Sequence, residues 1–335
     1  MPSIRLPKLL AILLSLSVVG AAQAEDDAKG LAVEITEWEV PWADSRPRDP
    51  WYGPGDVVWF VGQKADYVAR FDPDSEDFER FDLPEGAGPH TVIADEAGAW
   101  YAGNRDTHIG RLDPETGAIE QFPMPGDNGP RDPHTMAFRS DGDIWFTAQL
   151  ASQVGLLDRD KGEITLFDTE TPRARPYGLV VDDSDQPWFT LFGTNALGTV
   201  ENGSVREIPL PRDNARPRRL AFTPDGMLWY VDYAQGYLGR YNPEDGAIDE
   251  WRLPGGGAAA PYAMGTDDRG HVWAVETGDR SNNRFVGFDP DTESFGEPVP
   301  VPSGGGTVRH MFFDAGTQSF WFGTDANTLG RARLR

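Results

Sequence analysis

Cysteine is absent from all 335 residues. That excludes disulfides and thiol chemistry, so stability must come from a buried core. Beyond residue 24 no apolar run reaches membrane length, which excludes a later transmembrane helix. Positive charge is in short supply: 30 Lys and Arg stand against 54 Asp and Glu, a formal charge of −24. No basic stripe with interleaved aromatics appears, and such a field repels nucleic acid and anionic lipid. Also missing are a helical period, a low-complexity tract and a long linker. Lysine is scarce, so the cations that do occur are mostly arginine.

The first 24 residues read as a secretory signal peptide. Arg5 and Lys8 begin it, Leu9 to Gly20 is apolar, and Ala22-Gln23-Ala24 is a small-x-small cleavage site. Cleavage after Ala24 would leave 335 − 24 = 311 residues with a charge of −24 − 2 = −26. The expectation is a periplasmic or secreted protein whose residues 25–335 form one domain.

What is abundant is repetition. Trp59, Trp100, Trp145, Trp188, Trp229, Trp273 and Trp321 follow one another at 41, 45, 43, 41, 44 and 48 residues. Most follow a turn such as Asp141-Gly142 or Asp225-Gly226. A second element comes after each at similar distance, as in Ile109-Gly110-Arg111 and Leu238-Gly239-Arg240. A third strand ends in proline, as in Ile119-Glu120-Gln121-Phe122-Pro123. Four short strands in units of roughly 40–50 residues are the signature of a β-propeller blade. The fold class is therefore all-β, a seven-bladed β-propeller with four-stranded blades. An orphan strand, Val33–Val40, precedes the first Trp unit, and the last unit stops one strand short at Arg335. The N-terminal strand should therefore join the last blade and close the ring, leaving no open sheet edge. A monomer is expected. The Asp72-Pro73-Asp74 and Asp289-Pro290-Asp291 runs lack calcium-loop spacing and read as hairpin turns.

The strand order fixes where a site can lie. Loops leading into the innermost strands and loops leaving the second strands share one face. His90, His134, Tyr177, Arg218 and Tyr262 each follow a proline at the start of an innermost strand, and His310 follows Arg309. The third residues past the tryptophans include Asp232, Glu276 and Thr324. Both sets are expected to ring one mouth of the central channel, and converging polar groups in a concavity are the default site. Ten arginines fall in the same loops: Arg46, Arg48, Arg131, Arg173, Arg175, Arg212, Arg216, Arg218, Arg219 and Arg309. Their planar forks suit carboxylate, sulfate or phosphate, unless aspartates such as Asp44, Asp49, Asp132 and Asp213 neutralise them. A small-molecule or glycan ligand on this face is the expected partner, with Arg216, Arg218, His90, His134, Tyr177 and Asp232 as its contacts.

The units "PHTMAFRSDGDIWFT", "RPYGLVVDDSDQPWFT" with "NALG", and "VRHMFFDAGTQSFWFGTDANTLGR" resemble the virginiamycin B lyase (streptogramin lyase) family over residues 33–335. The resemblance implies a seven-bladed propeller that opens a cyclic depsipeptide by magnesium-assisted β-elimination. It also implies histidines in Pro-His-Gly and a glutamate just after a Trp-Phe strand. Glu276 in "WAVE" stands at the glutamate position, which makes it the implied magnesium ligand and catalytic carboxylate. In the same blade Tyr262 occupies the place of the base histidine, and the preceding blade has Arg218. His310 lies in the final blade, with Thr324 where the glutamate would be. His90 and His134 are paired with Gly103 and Ala148, so no blade holds both groups. The implied catalytic set is Glu276, His310 and Tyr262, with His310 the better base because an unperturbed tyrosine titrates near 10. His134 reads as a repeat position before it reads as a catalyst.

Three functions remain open. The first is an exported lyase with a rearranged constellation. The second is a non-catalytic propeller binding an anionic ligand or a protein through the arginine-rich face. The third is a gluconolactonase-like metal hydrolase, for which only Glu276 and Asp232 offer carboxylates. Fold alone does not choose among them.

Overall fold

The computed structural model describes residues 31–126 and 129–335. The signal peptide expected at residues 1–24 lies outside the described residues. Seven antiparallel sheets follow one another around a central channel. Their innermost strands are Pro47–Gly53, Val92–Asp95, Pro133–Phe138, Pro176–Val181, Pro217–Phe222, Pro261–Thr266 and Met311–Asp314, which define blades 1 to 7. Within each of blades 1 to 5 the chain runs outward through four consecutive strands. Blade 6 departs from the pattern: its fourth strand is split into Ser294–Phe295 and Val299–Pro300, both paired with Arg284–Asp289. Gly296 and Pro298 fall in the break, and proline cannot donate to a ladder.

Ring closure is as the sequence predicts. Val33–Glu39 pairs antiparallel with Thr328–Leu334, from Val33 opposite Leu334 to Glu39 opposite Thr328. Strand order in blade 7 is therefore N-terminal strand, last strand, then the two inner strands. Arg335 N–H donates to the Ala32 carbonyl at 3.0 Å, and Val40 N–H donates to Asn327 at 3.0 Å, so both ends of this seam are tied.

The repeat motifs are packing devices. All seven repeat tryptophans are buried, and each sits in a cluster with residues of the following blade. In blades 2, 3, 4, 5 and 7 the aromatic after the Trp points to the other side and lies over the glycine of the third strand. A Cβ at Gly110 or Gly239 would sit 2.1 Å from the Tyr101 or Tyr230 ring, so only glycine fits there. The next residue is often arginine, and Arg70, Arg111, Arg240 and Arg331 lie 5.6–5.9 Å from the ring centroids of their own blades' tryptophans. The Asp-Pro hairpins are Asx turns: Asp72 and Asp289 Oδ1 each accept the N–H two residues on, at 2.8 Å. No helix of the described residues is long and apolar enough to cross a membrane.

Candidate active site at the channel mouth

The first residues of the innermost strands do not pair regularly. Register shifts between Arg48 and Trp51, Pro133 and Met136, Pro176 and Leu179, Pro217 and Leu220, and Pro261 and Met264 mark a bulge in five blades. A bulge bends the strand and re-aims side chains. Here it turns the residue after each proline toward the channel. The freed backbone groups are taken up by the threonine of Trp-Phe-Thr. Thr147 Oγ1 accepts the Thr135 N–H at 3.2 Å and donates to the Tyr177 carbonyl of the next blade at 2.9 Å. Thr190 does the same for Gly178 N–H and the Arg218 carbonyl, both at 3.0 Å. Three neighbouring blades are thus keyed at the depth where the side chains converge.

Across the channel, blades 1 and 5 carry matching stretches, Arg46-Pro47-Arg48-Asp49 and Arg216-Pro217-Arg218-Arg219. Asp49 and Arg219 meet with Oδ2 and Nη2 at 2.9 Å, both buried. Arg219 also donates to Thr135 Oγ1 and to the Arg309 carbonyl, each at 3.2 Å, so it ties blades 1, 3, 5 and 7. Thr91 Oγ1 donates to Asp49 at 2.9 Å. Burial alone would raise the Asp49 carboxyl, but Arg219 and Arg48 outweigh it and hold it well below the usual range.

The histidines gather beside this tie. His90 and His134 lie ring against ring with centroids 3.4 Å apart, and the His134 ring is 4.3 Å from Tyr177. Their Nδ1 atoms sit 3.2 and 3.0 Å from Thr91 and Thr135 Oγ1. Burial, reinforced by the arginines, drives both far below the ordinary imidazole value. Burial and Arg219 take His310 down to about 3. All three rings are neutral at physiological pH, and such weak bases are poor proton abstractors.

The tyrosines behave differently. Tyr177 and Tyr262 share a hydrogen bond between their hydroxyls. Burial would raise the Tyr262 phenol, yet Arg218, Arg48 and Arg309 bring it down to about 8. Tyr177 moves the opposite way, pushed up by burial and by its neighbour. The two hydroxyls are linked directly, and the guanidinium groups favour loss of the Tyr262 proton over that of Tyr177. The Arg218 carbon Cζ lies 4.1 Å from the Tyr262 and Tyr233 centroids and 4.3 Å from Phe192. The expected ranking of bases is thereby reversed: Tyr262, not His310, has the near-neutral value that proton transfer favours.

Glu276 and Asp232 are otherwise engaged. Glu276 accepts the Gly255 N–H at 2.6 Å and contacts the Arg284 guanidinium, lining a surface recess with Ala258, Ala259, Gly278 and Asn282. None of its hydrogen bonds or ion pairs reaches His310 or Tyr262. Asp232 accepts the N–H groups of Arg216, Ala234 and Gln235 through Oδ1 and pairs with Arg212 at 2.9 Å through Oδ2. Both carboxylates staple loops. Arg216 is exposed, 5.6 Å from the Phe192 centroid. Of the ten loop arginines, Arg131, Arg173, Arg175, Arg216 and Arg218 have no carboxylate within 4.0 Å among the described residues, while Arg46, Arg48, Arg212, Arg219 and Arg309 do.

These features define a class: a closed seven-bladed propeller whose channel mouth carries a hydrogen-bonded Tyr–Tyr pair, neutral histidines and excess guanidinium. The family is set by comparison. A model described as the virginiamycin B lyase family matches residues 33–331, and the chain belongs to that family. Virginiamycin B lyase of Nocardia farcinica is 29% identical over 101 residues, 30% of this chain and 34% of that protein. The chain aligns with about a third of the length of the curated relatives it matches. A streptogramin B lyase structure shares the fold at a TM-score of 0.80 and 25% identity, covering 90% of this chain and 98% of that one. Virginiamycin B lyase from Staphylococcus aureus gives 0.81 at 22% identity, with 90% and 100% covered, a likeness of fold.

The family resemblance implies magnesium, and the residues here do not fit it. Magnesium takes oxygen ligands in octahedral geometry. Both Glu276 oxygens face donors, one of them a cation, and Asp49 lies against Arg48 and Arg219. Among the described residues no three His, Asp or Glu side chains are grouped to hold a metal ion.

Sequence reasoning placed Arg48 and Arg309 among the loop arginines and Asp49 among their possible partners, but passed over Phe192 and Tyr233 and the pairing of Asp49 with Arg219. The signal was present in the matched "RPRD" and "RPRR" stretches, where an acid in one blade answers a base in another.

Proposed function

We propose that the protein is an exported lyase that works by β-elimination at the channel mouth, with the Tyr177–Tyr262 pair moving the proton. The carrying observation is the shared hydroxyl contact beneath Arg218, with Arg48 and Arg309 nearby. Family membership supports elimination as the reaction class.

The chemistry balances on the pair alone. Tyr262 phenolate oxygen takes the proton from the carbon next to a carbonyl or carboxyl group. The C–H electron pair becomes the new carbon–carbon double bond, and the bond from the β-carbon to the leaving oxygen breaks. That oxygen receives a proton from the pair, which returns to the reactive form, Tyr262 phenolate beside Tyr177 hydroxyl. The arginines stabilise the negative charge that develops on the substrate oxygen, the role usually given to an oxyanion hole. His90 and His134, neutral and packed ring against ring, hold the Tyr177 ring in place. Glu276 positions the Gly255 loop beside the mouth.

The test is turnover of cyclic depsipeptide, lactone and uronate probes in oxygen-18 water with EDTA present. The expected product carries a new double bond and no solvent oxygen, and Tyr262→Phe abolishes it while retaining the melting temperature. Incorporated oxygen-18 would mean hydrolysis and overturn the proposal. No turnover across the three probe classes would turn the reading to a binding propeller, for which the arginine-rich face is the specific support.

A further inference from the structure

The channel mouth carries more positive charge than the protein itself answers. Arg48, Arg218, Arg219 and Arg309 converge there, against Asp49 and Asp325 as the carboxylates paired with them. Four cations less two anions leave an excess of two. Arg46 at the rim adds to the excess, since it also leans on Asp325 at 3.7 Å. Tyr262, beneath Arg218 and Arg309, can answer one charge as phenolate. One remains.

The unanswered charge has a place. Arg48 is 6% exposed, and its Nε and Nη2 are buried without a hydrogen-bond partner. Only its Nη1 is engaged, donating to Gln63 at 2.9 Å. Asp49 Oδ1 is 3.6 Å from Arg48 Nε, too long for a hydrogen bond. Arg218 Nε is likewise buried and unpartnered, and no carboxylate lies within 4.0 Å of that guanidinium among the described residues. A buried charged donor without a partner is costly. An arginine fork presents its N–H groups in the spacing of two carboxylate oxygens.

We infer that Arg48 and Arg218 form a carboxylate-binding site over Tyr262, so that the substrate is a β-alkoxy or β-acyloxy carboxylate rather than a neutral ester. The inference rests on the elimination reading for its orientation: the carboxylate is bound to the carbon that loses the proton. Arg218 also covers the site. It is held by the faces of Tyr262, Tyr233 and Phe192 and by no ion pair, so it swings aside as the carboxylate arrives and then clamps it. Two guanidinium groups on one carboxylate lower the barrier to removing the adjacent proton, because the second negative charge of the resulting enediolate develops between them. In this arrangement the guanidinium groups supply the charge that a metal dication would.

The probes are 4-linked digalacturonate, its methyl diester and inorganic phosphate, measured by calorimetry on the full chain at low salt. The acid is expected to bind, and the diester to bind roughly 10- to 100-fold more weakly, the loss of a charge-assisted hydrogen-bond pair. Arg218→Gln should weaken the acid by a similar factor with the melting temperature retained, and added salt should weaken it further. Equal affinity for acid and diester, insensitivity to Arg218→Gln, or equal competition by phosphate would each overturn the carboxylate site. Binding of the acid without formation of a conjugated double bond would support this site while refuting elimination. Turnover of the diester as fast as the acid would do the reverse.

Discussion

Replacing Asp49 by Asn keeps the shape of the tie across the channel and removes its charge. The carboxylate is buried, accepts from Arg219 and Thr91 at 2.9 Å each, and lies 3.6 Å from Arg48. Two unit charges about 4 Å apart at an effective dielectric of 20 attract by about 4 kcal/mol. Breaking a buried pair by deleting one partner costs about 3–5 kcal/mol, because the other charge stays behind uncompensated. Asn still offers an oxygen to Thr91 or Arg219, so the lower half of that range is expected, about 3–4 kcal/mol. At about 2 °C per kcal/mol, the melting temperature should fall by roughly 6–8 °C. Urea unfolding followed by tryptophan fluorescence reads the same quantity. The double variant Asp49→Asn with Arg219→Met removes both charges and should recover much of the loss. A single variant within about 1 kcal/mol of wild type, or a double variant whose cost is the sum of the two singles, would refute the tie as a coupled buried pair.

Two further outcomes are expected. Removing residues 31–40 strips the partner from Thr328–Leu334 and should cause concentration-dependent aggregation and loss of the single cooperative melt; an unchanged cooperative melt would contradict ring closure as a source of stability. His90, His134 and His310 all have folded values below 6.5, so the unfolded chain binds more protons as pH falls. The stability present above pH 6.5 should then be lost on acidification at up to about 1.4 kcal/mol per histidine per pH unit. For His310 that loss continues toward about pH 3. Urea unfolding at pH 7.5 and pH 5 checks the slope, and a flat profile would show that the rings are not buried neutral.

The architecture was readable because each blade repeats the same packing problem. Trp at a period near 43 recurs in every unit, and Gly under an aromatic and Asp at the hairpin recur in most, so the count and the closing strand could be read from spacing. The site was less readable for two reasons. Its side chains come from all seven blades, and sequence gives the register of each without the distance between them. The third residue past the tryptophan was expected at the mouth, but Asp232 and Glu276 turn to neighbouring loop N–H groups instead. Unpaired loop backbone competes for any nearby carboxylate, and a one-blade pattern does not show that competition. The choice between His310 and Tyr262 was likewise beyond spacing. Burial lowers an imidazole, whereas three guanidinium groups outweigh burial at a phenol. The matched "RPRD" and "RPRR" stretches did carry the cross-channel pair, and comparing blades by charge as well as by type finds it.

Tyrosine ionisation at the mouth is most directly measured by carbon-13 nuclear magnetic resonance of the tyrosine Cζ atoms through a pH titration. The chain has nine tyrosines, and Tyr262→Phe assigns the one that matters. The expected result is a single resonance that titrates near 8, is absent in Tyr262→Phe, and moves upward in Arg218→Gln as one cation is removed. All nine remaining protonated to pH 10 would contradict a tyrosinate base held by arginines at the channel mouth.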